Sequence, residues 1–238
     1  MSTQNLQRNN STRSVQHSKE LALDEVEFED LYHGASQIDD PLMQLQAEFA
    51  VVVLGRLGLR AGELAHLREE WVDWRREVIE IPMHQPCRKG KDGGACARCI
   101  RLAEQKVDHN PGLSLEEAVA SMWSPKTEAG ARGVYFGWDA RAQHVMERFF
   151  DQYERWPRSV QVVSRRVSRA AEHASDLDAA DISPHPLRAT AASSLAARGL
   201  GQSAMMQFMG WSDFSVASAY IKSSTGATAN QLESLNSR

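Results

Sequence analysis

The chain has 238 residues, 42% hydrophobic and 24% charged, which suits a folded domain with attachments rather than a fibrous or disordered chain. Its 31 acidic residues outnumber 27 basic ones, for a net charge of −4; this excludes a uniformly basic nucleic-acid coat but not a local basic surface. No apolar run approaches the roughly 18 residues that span a bilayer, and residues 1–20 lack the apolar centre of a signal peptide, so a cytoplasmic protein without a membrane partner is expected.

Residues 1–20 are polar and read as a disordered tail, and 21–40 as a short acidic segment with a surface helix. The first strong helical periodicity follows Pro41, with Leu42, Leu45, Phe49, Val52 and Val53 on one face, and ends near the glycines at 55 and 58. A short helix is expected over 61–67, then strands at 71–73 and 78–82 around an Arg75-Arg76 turn. Residues 83–111 break the pattern with glycines, prolines and all three cysteines, and read as an insertion unable to build an apolar core of its own. A helix over 114–120, strands at 122–125 and 133–136, and helices at 139–154, 159–174, 186–197, 203–209 and 214–221 follow. A helical turn is expected at 230–235. The fold class is mainly α with a small antiparallel β-sheet.

Three segments carry chemistry. Arg60 lies in Gly58-Leu59-Arg60-Ala61-Gly62-Glu63-Leu64, Arg188 closes His185-Pro186-Leu187-Arg188, and Trp211 follows Met209-Gly210, with Tyr220 nine residues later. Together they resemble the catalytic domain of the tyrosine recombinases, the phage-integrase family, over about residues 41–222. The family order is Arg, a Lys on a β-hairpin, His-x-x-Arg, His or Trp after Gly, then Tyr. The resemblance makes Lys126, in Ser124-Pro125-Lys126-Thr127, the hairpin lysine.

The chemistry suits these residue types. Phosphodiester attack gathers negative charge on the non-bridging oxygens, which Arg60 and Arg188 can clamp. A tyrosine hydroxyl with a pKa of about 10 is a weak nucleophile until cations favour its phenolate. His185 can take its proton, Lys126 can protonate the leaving 5′-oxygen, and Trp211 can support the phosphate. The resemblance implies DNA cleavage and rejoining through a 3′-phosphotyrosyl link at Tyr220, without ATP or a catalytic metal. It also implies double-stranded DNA as partner, a homotetramer on two duplexes, and exchange of the tail 223–238 between subunits. Integrases carry a helical N-terminal clamp domain. About 40 mostly polar residues precede position 41, too few for such a core, which leaves three readings: the chain works without the clamp, an accessory DNA-binding protein supplies it, or the chain is a degenerate relative.

The segment 83–111 departs from compact family members. His84-x2-Cys87 followed by Cys96-x2-Cys99 supplies four ligands of the types zinc prefers, at knuckle spacing. A structural zinc held by His84, Cys87, Cys96 and Cys99 is expected, with His109 competing as the fourth ligand. Similar inserts occur in integrase-like proteins of halophilic archaea and their viruses. Arg88, Lys89 and Lys91 beside the cysteines, and Arg158, Arg165 and Arg169 farther on, suit phosphate contacts. Alternatives of other classes are a DNA-binding relative that no longer cuts and a type IB-like topoisomerase.

Overall fold

The structure is a computed structural model and describes residues 21–222. The expected disordered tail, the exchange segment 223–238 and the helical turn at 230–235 lie outside those residues. Within them are ten α-helices and a three-stranded sheet.

The centre is α2 (Pro41–Gly55), capped by the Asp40 carboxylate, which accepts from the Met43 N–H at 2.8 Å, with Pro41 in the first turn. From Leu45 to Gly55 every residue is buried, because α1 (Glu25–Ser36), α6 (Ala140–Gln152), α7 (Val160–Glu172) and α8 (Pro184–Ala197) all pack on it. Phe49 stacks on Phe149 with ring centroids 3.6 Å apart, and Trp156 flanks both. Truncating such a ring in a filled core costs about 3–5 kcal/mol.

The acidic segment before Pro41 folds onto this core. Asp24 and Glu27 form a reciprocal capping box, and Phe28, Leu31 and Ala35 are buried at helical spacing. The α1–α7 approach is close enough that a Cβ on Gly34 would lie 2.3 Å from the Ala170 carbonyl. The expected surface helix is therefore anchored on one face.

The sheet is antiparallel in the order β1 (Val72–Asp73), β2 (Val78–Ile81), β3 (Arg132–Tyr135), with Ile79 opposite Val134. The strand expected over 122–125 is absent. That backbone instead meets the start of the insertion: the Trp123 N–H donates to the Gln85 carbonyl at 2.7 Å, Gln85 returns the bond at 2.9 Å, and the Cys87 N–H donates to Met122 at 3.0 Å. Lys126 consequently sits on a loop leading to β3 rather than on the expected hairpin. The insertion also holds a helix that its polar composition concealed, α4 (Ala97–His109), packed against α5 (Leu115–Ala120). Only Cys99 and Ala103 of α4 are buried, so its apolar periodicity was too thin to read.

Candidate active site and a thiol–imidazole cluster

Gly58 takes φ +64°, and a side chain there would collide with the Met209 sulfur. This turn delivers Arg60 to the N-cap of α3 (Ala61–His66). The Glu63 carboxylate accepts from the Arg60 N–H and Nη1, at 2.8 and 2.7 Å, while Arg60 Nη2 donates to the Gly210 carbonyl at 2.8 Å.

Arg188, one turn into α8, is buried and donates to the Gly58 and Met209 carbonyls. Burial, with repulsion from Arg60, pushes its pKa down to about 9, still charged at neutral pH. Gly210 turns the chain after α9 (Gln202–Met209) at φ +64°, where a Cβ would meet the Ala129 carbonyl at 2.8 Å. The turn presents Trp211, over whose ring the Arg188 guanidinium lies 5.9 Å from the centroid.

On α10 (Phe214–Lys222), Tyr220 stacks on Trp211 with centroids 5.4 Å apart and planes 14° from parallel. Burial raises the Tyr220 pKa, against the pull of Arg188. His185 lies in the first turn of α8 on the exposed side. Lys126 is exposed and lines, with Arg60 and Glu63, one cavity of about 540 Å³.

Arg132 was not foreseen. Its Nη1 and Nη2 donate to both Glu63 oxygens at 3.2 Å, and Nε donates to the Phe208 carbonyl at 2.7 Å. Three guanidiniums thus surround one buried carboxylate. Burial raises the Glu63 pKa, but Arg132 first, then Arg188 and Arg60, outweigh it and hold the group below 4.5. The available signal was alternation in Arg132-Gly133-Val134, which turns Arg132 to the same sheet face as Val134.

The cysteines do converge, but on a different histidine. Ligand atoms of His66, Cys87, Cys96 and Cys99 all lie within 4.8 Å of one another. The Cys99 and Cys96 sulfurs are 3.4 and 3.7 Å from His66 Nε2, where tetrahedral zinc would put sulfur and nitrogen about 3.5 Å apart. His66 Nδ1 lies 2.8 Å from the Gly62 carbonyl; donation there leaves Nε2 for a metal. The donor set therefore fits a metal ion. Hydrogen bonds from Cys96 and Cys99 push the Cys87 thiol down, and those to Cys87 and Cys96, with burial, push Cys99 up. The expected ligand His84 is exposed, with Nδ1 3.1 Å from the Trp123 carbonyl, and His109 Nδ1 lies 2.6 Å from Gln105 O. Neither joins the cluster.

Among the expected DNA contacts, Lys89 is turned inward and donates to the Ala65 and Arg158 carbonyls. Burial pushes its pKa down to about 8. Arg88, Lys91, Arg158, Arg165 and Arg169 are exposed, although Arg169 pairs with Glu172 at 2.7 Å. Arg155 donates to the Arg88 carbonyl, so the two basic stretches, distant in sequence, meet in space.

An arginine-lined cleft with a stacked tyrosine at its edge, on a helical domain with a small antiparallel sheet, has the architecture of a tyrosine recombinase catalytic domain. Residues 22–226 match the phage integrase family, and the chain belongs to that family. The Tn1549 transposon integrase bound to transposon right-end DNA is similar in fold: TM-score 0.61, 17% identity, covering 94% of this chain and 68% of that one. The XerA recombinase is similar at TM-score 0.55 and 16% identity, over 91% of this chain and 64% of its own. The same Tn1549 integrase with circular-intermediate DNA gives 0.54 and 17%, over 90% of this chain and 66% of that one. This chain thus spans about two thirds of those chains. No curated protein sequence matches it. No described helix is long and apolar enough to cross a membrane.

Proposed function

We propose that this domain cuts and rejoins DNA strands at specific sites through Tyr220. The observation that carries the reading is the convergence of Arg60, Arg132 and Arg188 on Glu63, with Tyr220 stacked beside Arg188. Three cations against one carboxylate leave a positive surplus. A phosphodiester, and the more negative transition state formed on attack, would offset it. The carbonyls of Gly58, Met209 and Gly210 now hold the Arg60 and Arg188 donors, and phosphate oxygens would compete for those donors.

In the proposed step the Tyr220 oxygen attacks phosphorus and the bond from phosphorus to the 5′-oxygen breaks. The phenol proton leaves to His185, and Lys126 protonates the departing 5′-oxygen. The product is a 3′-phosphotyrosyl link, and reversal by a 5′-hydroxyl rejoins the strands. Trp211 seats the tyrosine and Arg132 positions Glu63. Neither ATP nor a catalytic metal has a role in these steps.

The DNA-bound neighbours support double-stranded DNA as the partner. A homotetramer on two duplexes, an accessory DNA-binding protein and a cytoplasmic or nucleoid location belong to the same proposal. So does zinc at His66, Cys87, Cys96 and Cys99, where it would supply folding energy to the polar insertion. Arg88, Lys91, Arg158, Arg165 and Arg169 would contact backbone phosphates, giving affinity without sequence choice.

The test is an SDS-resistant protein–DNA adduct on supercoiled and nicked DNA. Wild type is expected to form it and Tyr220→Phe to lose it entirely. An adduct surviving in Tyr220→Phe would reject the nucleophile, and binding without any adduct would favour a non-cutting relative.

A further inference from the structure

The cavity that holds Arg60, Glu63 and Lys126 has a second wall. That wall is α4, from the insertion, which contributes Arg98, Lys106 and His109. Arg98 also lines a neighbouring cleft of about 340 Å³ with Lys89 and Arg158, so it stands where the two cavities meet.

Its guanidinium reaches over the first turn of α3: a Cβ placed on Gly62 would lie 4.0 Å from Arg98 Nη2. Among the described residues the Arg98 side chain has no hydrogen bond or ion pair. Arg60, Arg132 and Arg188, by contrast, all have fixed partners. Cys96 and Cys99 bracket Arg98, and both approach His66 on α3. The thiol–imidazole cluster therefore fixes the turn of α4 that carries Arg98 against the helix that carries Arg60 and Glu63. Lys106 is engaged differently, donating to the Ser121 hydroxyl at 3.1 Å on the segment leading to Lys126.

We infer that α4 is a DNA-contacting wall of the active-site cavity, and that Arg98 takes a backbone phosphate next to the scissile one. This rests on the strand-cleavage reading for the location of the scissile phosphate. The backbone would run from the Arg60–Lys126 cavity past Arg98 into the cleft beside Arg158. A phosphate there supplies the negative partner that Arg98 lacks, by charge-assisted and directional hydrogen bonds. The insertion is then part of the substrate surface as well as a folded appendage.

The experiment compares the full chain with Arg98→Ala, Arg98→Lys and Arg101→Ala, the last altering an exposed arginine of α4 that lines neither cavity. Circular dichroism and zinc content verify each fold. The first readout is the slope of log affinity against log salt on a random-sequence duplex. Arg98→Ala is expected to bind about tenfold more weakly and to lower the slope by about one. Arg98→Lys should keep the slope. A slope unchanged in Arg98→Ala, or lowered equally by Arg101→Ala, overturns the assignment.

The second readout uses the duplex site recovered from wild-type adducts, with single phosphates replaced by neutral methylphosphonates. One replacement beside the scissile position should weaken the wild type and leave Arg98→Ala unaffected. Additive losses at every position would overturn the proposal. If wild type forms no adduct while Arg98→Ala still lowers the salt slope, the cleavage reading fails and the DNA-contacting wall stands.

Discussion

Two sites share one short helix and are built on opposite principles. At the start of α3, Arg60 and Glu63 belong to a buried cluster of three cations and one anion. At its end, His66 belongs to a cluster of three sulfurs and one imidazole. The first is held by the fold: its residues come from α3, β3 and α8, and backbone carbonyls complete their hydrogen bonds. The second gathers residues of a segment with little apolar burial, where a metal would supply the missing cohesion. The contrast separates a site that would persist without its ligand from one that needs a ligand to persist.

Removing a thiol–imidazole ligand tests that separation with the largest expected effect. Structural zinc sites carry apparent binding free energies of about 10–16 kcal/mol in small peptides. Cys99→Ala or His66→Ala should abolish stoichiometric zinc, as read by elemental analysis. Hydrogen exchange should show α4 amides losing protection, while amides of α2 and α6 keep most of theirs. Chelation of the wild type should reproduce this pattern. Equal loss of protection throughout the molecule would show that the two regions do not fold separately.

The converse perturbation is Glu63→Gln. It leaves three guanidiniums around a neutral amide, and removing one partner of a buried ion pair costs about 3–5 kcal/mol. Zinc content should not change. Arg132 and its neighbours hold the Glu63 carboxyl below 4.5, so its contribution is present above that value and is lost as pH falls through the lowered native pKa. Wild type should therefore melt higher than Glu63→Gln at neutral pH, with the gap closing in acid. Taking the difference between the two proteins cancels other carboxylates held low, such as Glu25 beside Arg56.

A smaller effect is expected from Arg132→Lys, which keeps the charge but loses the fork that reaches both Glu63 oxygens and Phe208. Adduct formation should slow about tenfold while DNA affinity stays near wild type, because Arg132 acts through Glu63 rather than on DNA. A loss confined to affinity would contradict that positioning role.

The two regions also differed in how far the sequence revealed them. Arg60, Arg188, Trp211 and Tyr220, which the fold brings together, could be picked out because each lies in a short local pattern whose spacing survives without the fold. Arg132 was not: a buried arginine on a four-residue strand is defined by its partner Glu63, 69 residues away in sequence. The long helices were legible from apolar periodicity, but α4 has only two buried residues to mark a face. The strand expected over 122–125, just before Lys126, gives way to a loop because the backbone of Met122 and Trp123 bonds to Gln85 and Cys87 of the insertion. For Arg132 and the loop before Lys126 the deciding interaction is long-range.

The smallest expected effect discriminates best between the sequence reading and the structure. His84-x2-Cys87 has knuckle spacing, and local spacing alone assigns His84 as the first zinc ligand. In the fold the Gln85 and Cys87 amides are tied to Trp123 and Met122, and His84 is left on the exposed side of that pairing. His66 arrives instead from α3, with Trp123 stacked 5.3 Å from its ring and the Gly62 carbonyl fixing its tautomer. His84→Ala should therefore retain one zinc per chain and change stability by no more than about 0.5 kcal/mol, as ordinary surface substitutions do. His66→Ala should lose the metal. Loss of zinc in His84→Ala with retention in His66→Ala would reverse the ligand assignment and detach the insertion from α3. It would also remove the physical link by which the thiol–imidazole cluster, outside the cavity lined by Arg60 and Lys126, fixes the helix that forms one of that cavity's walls.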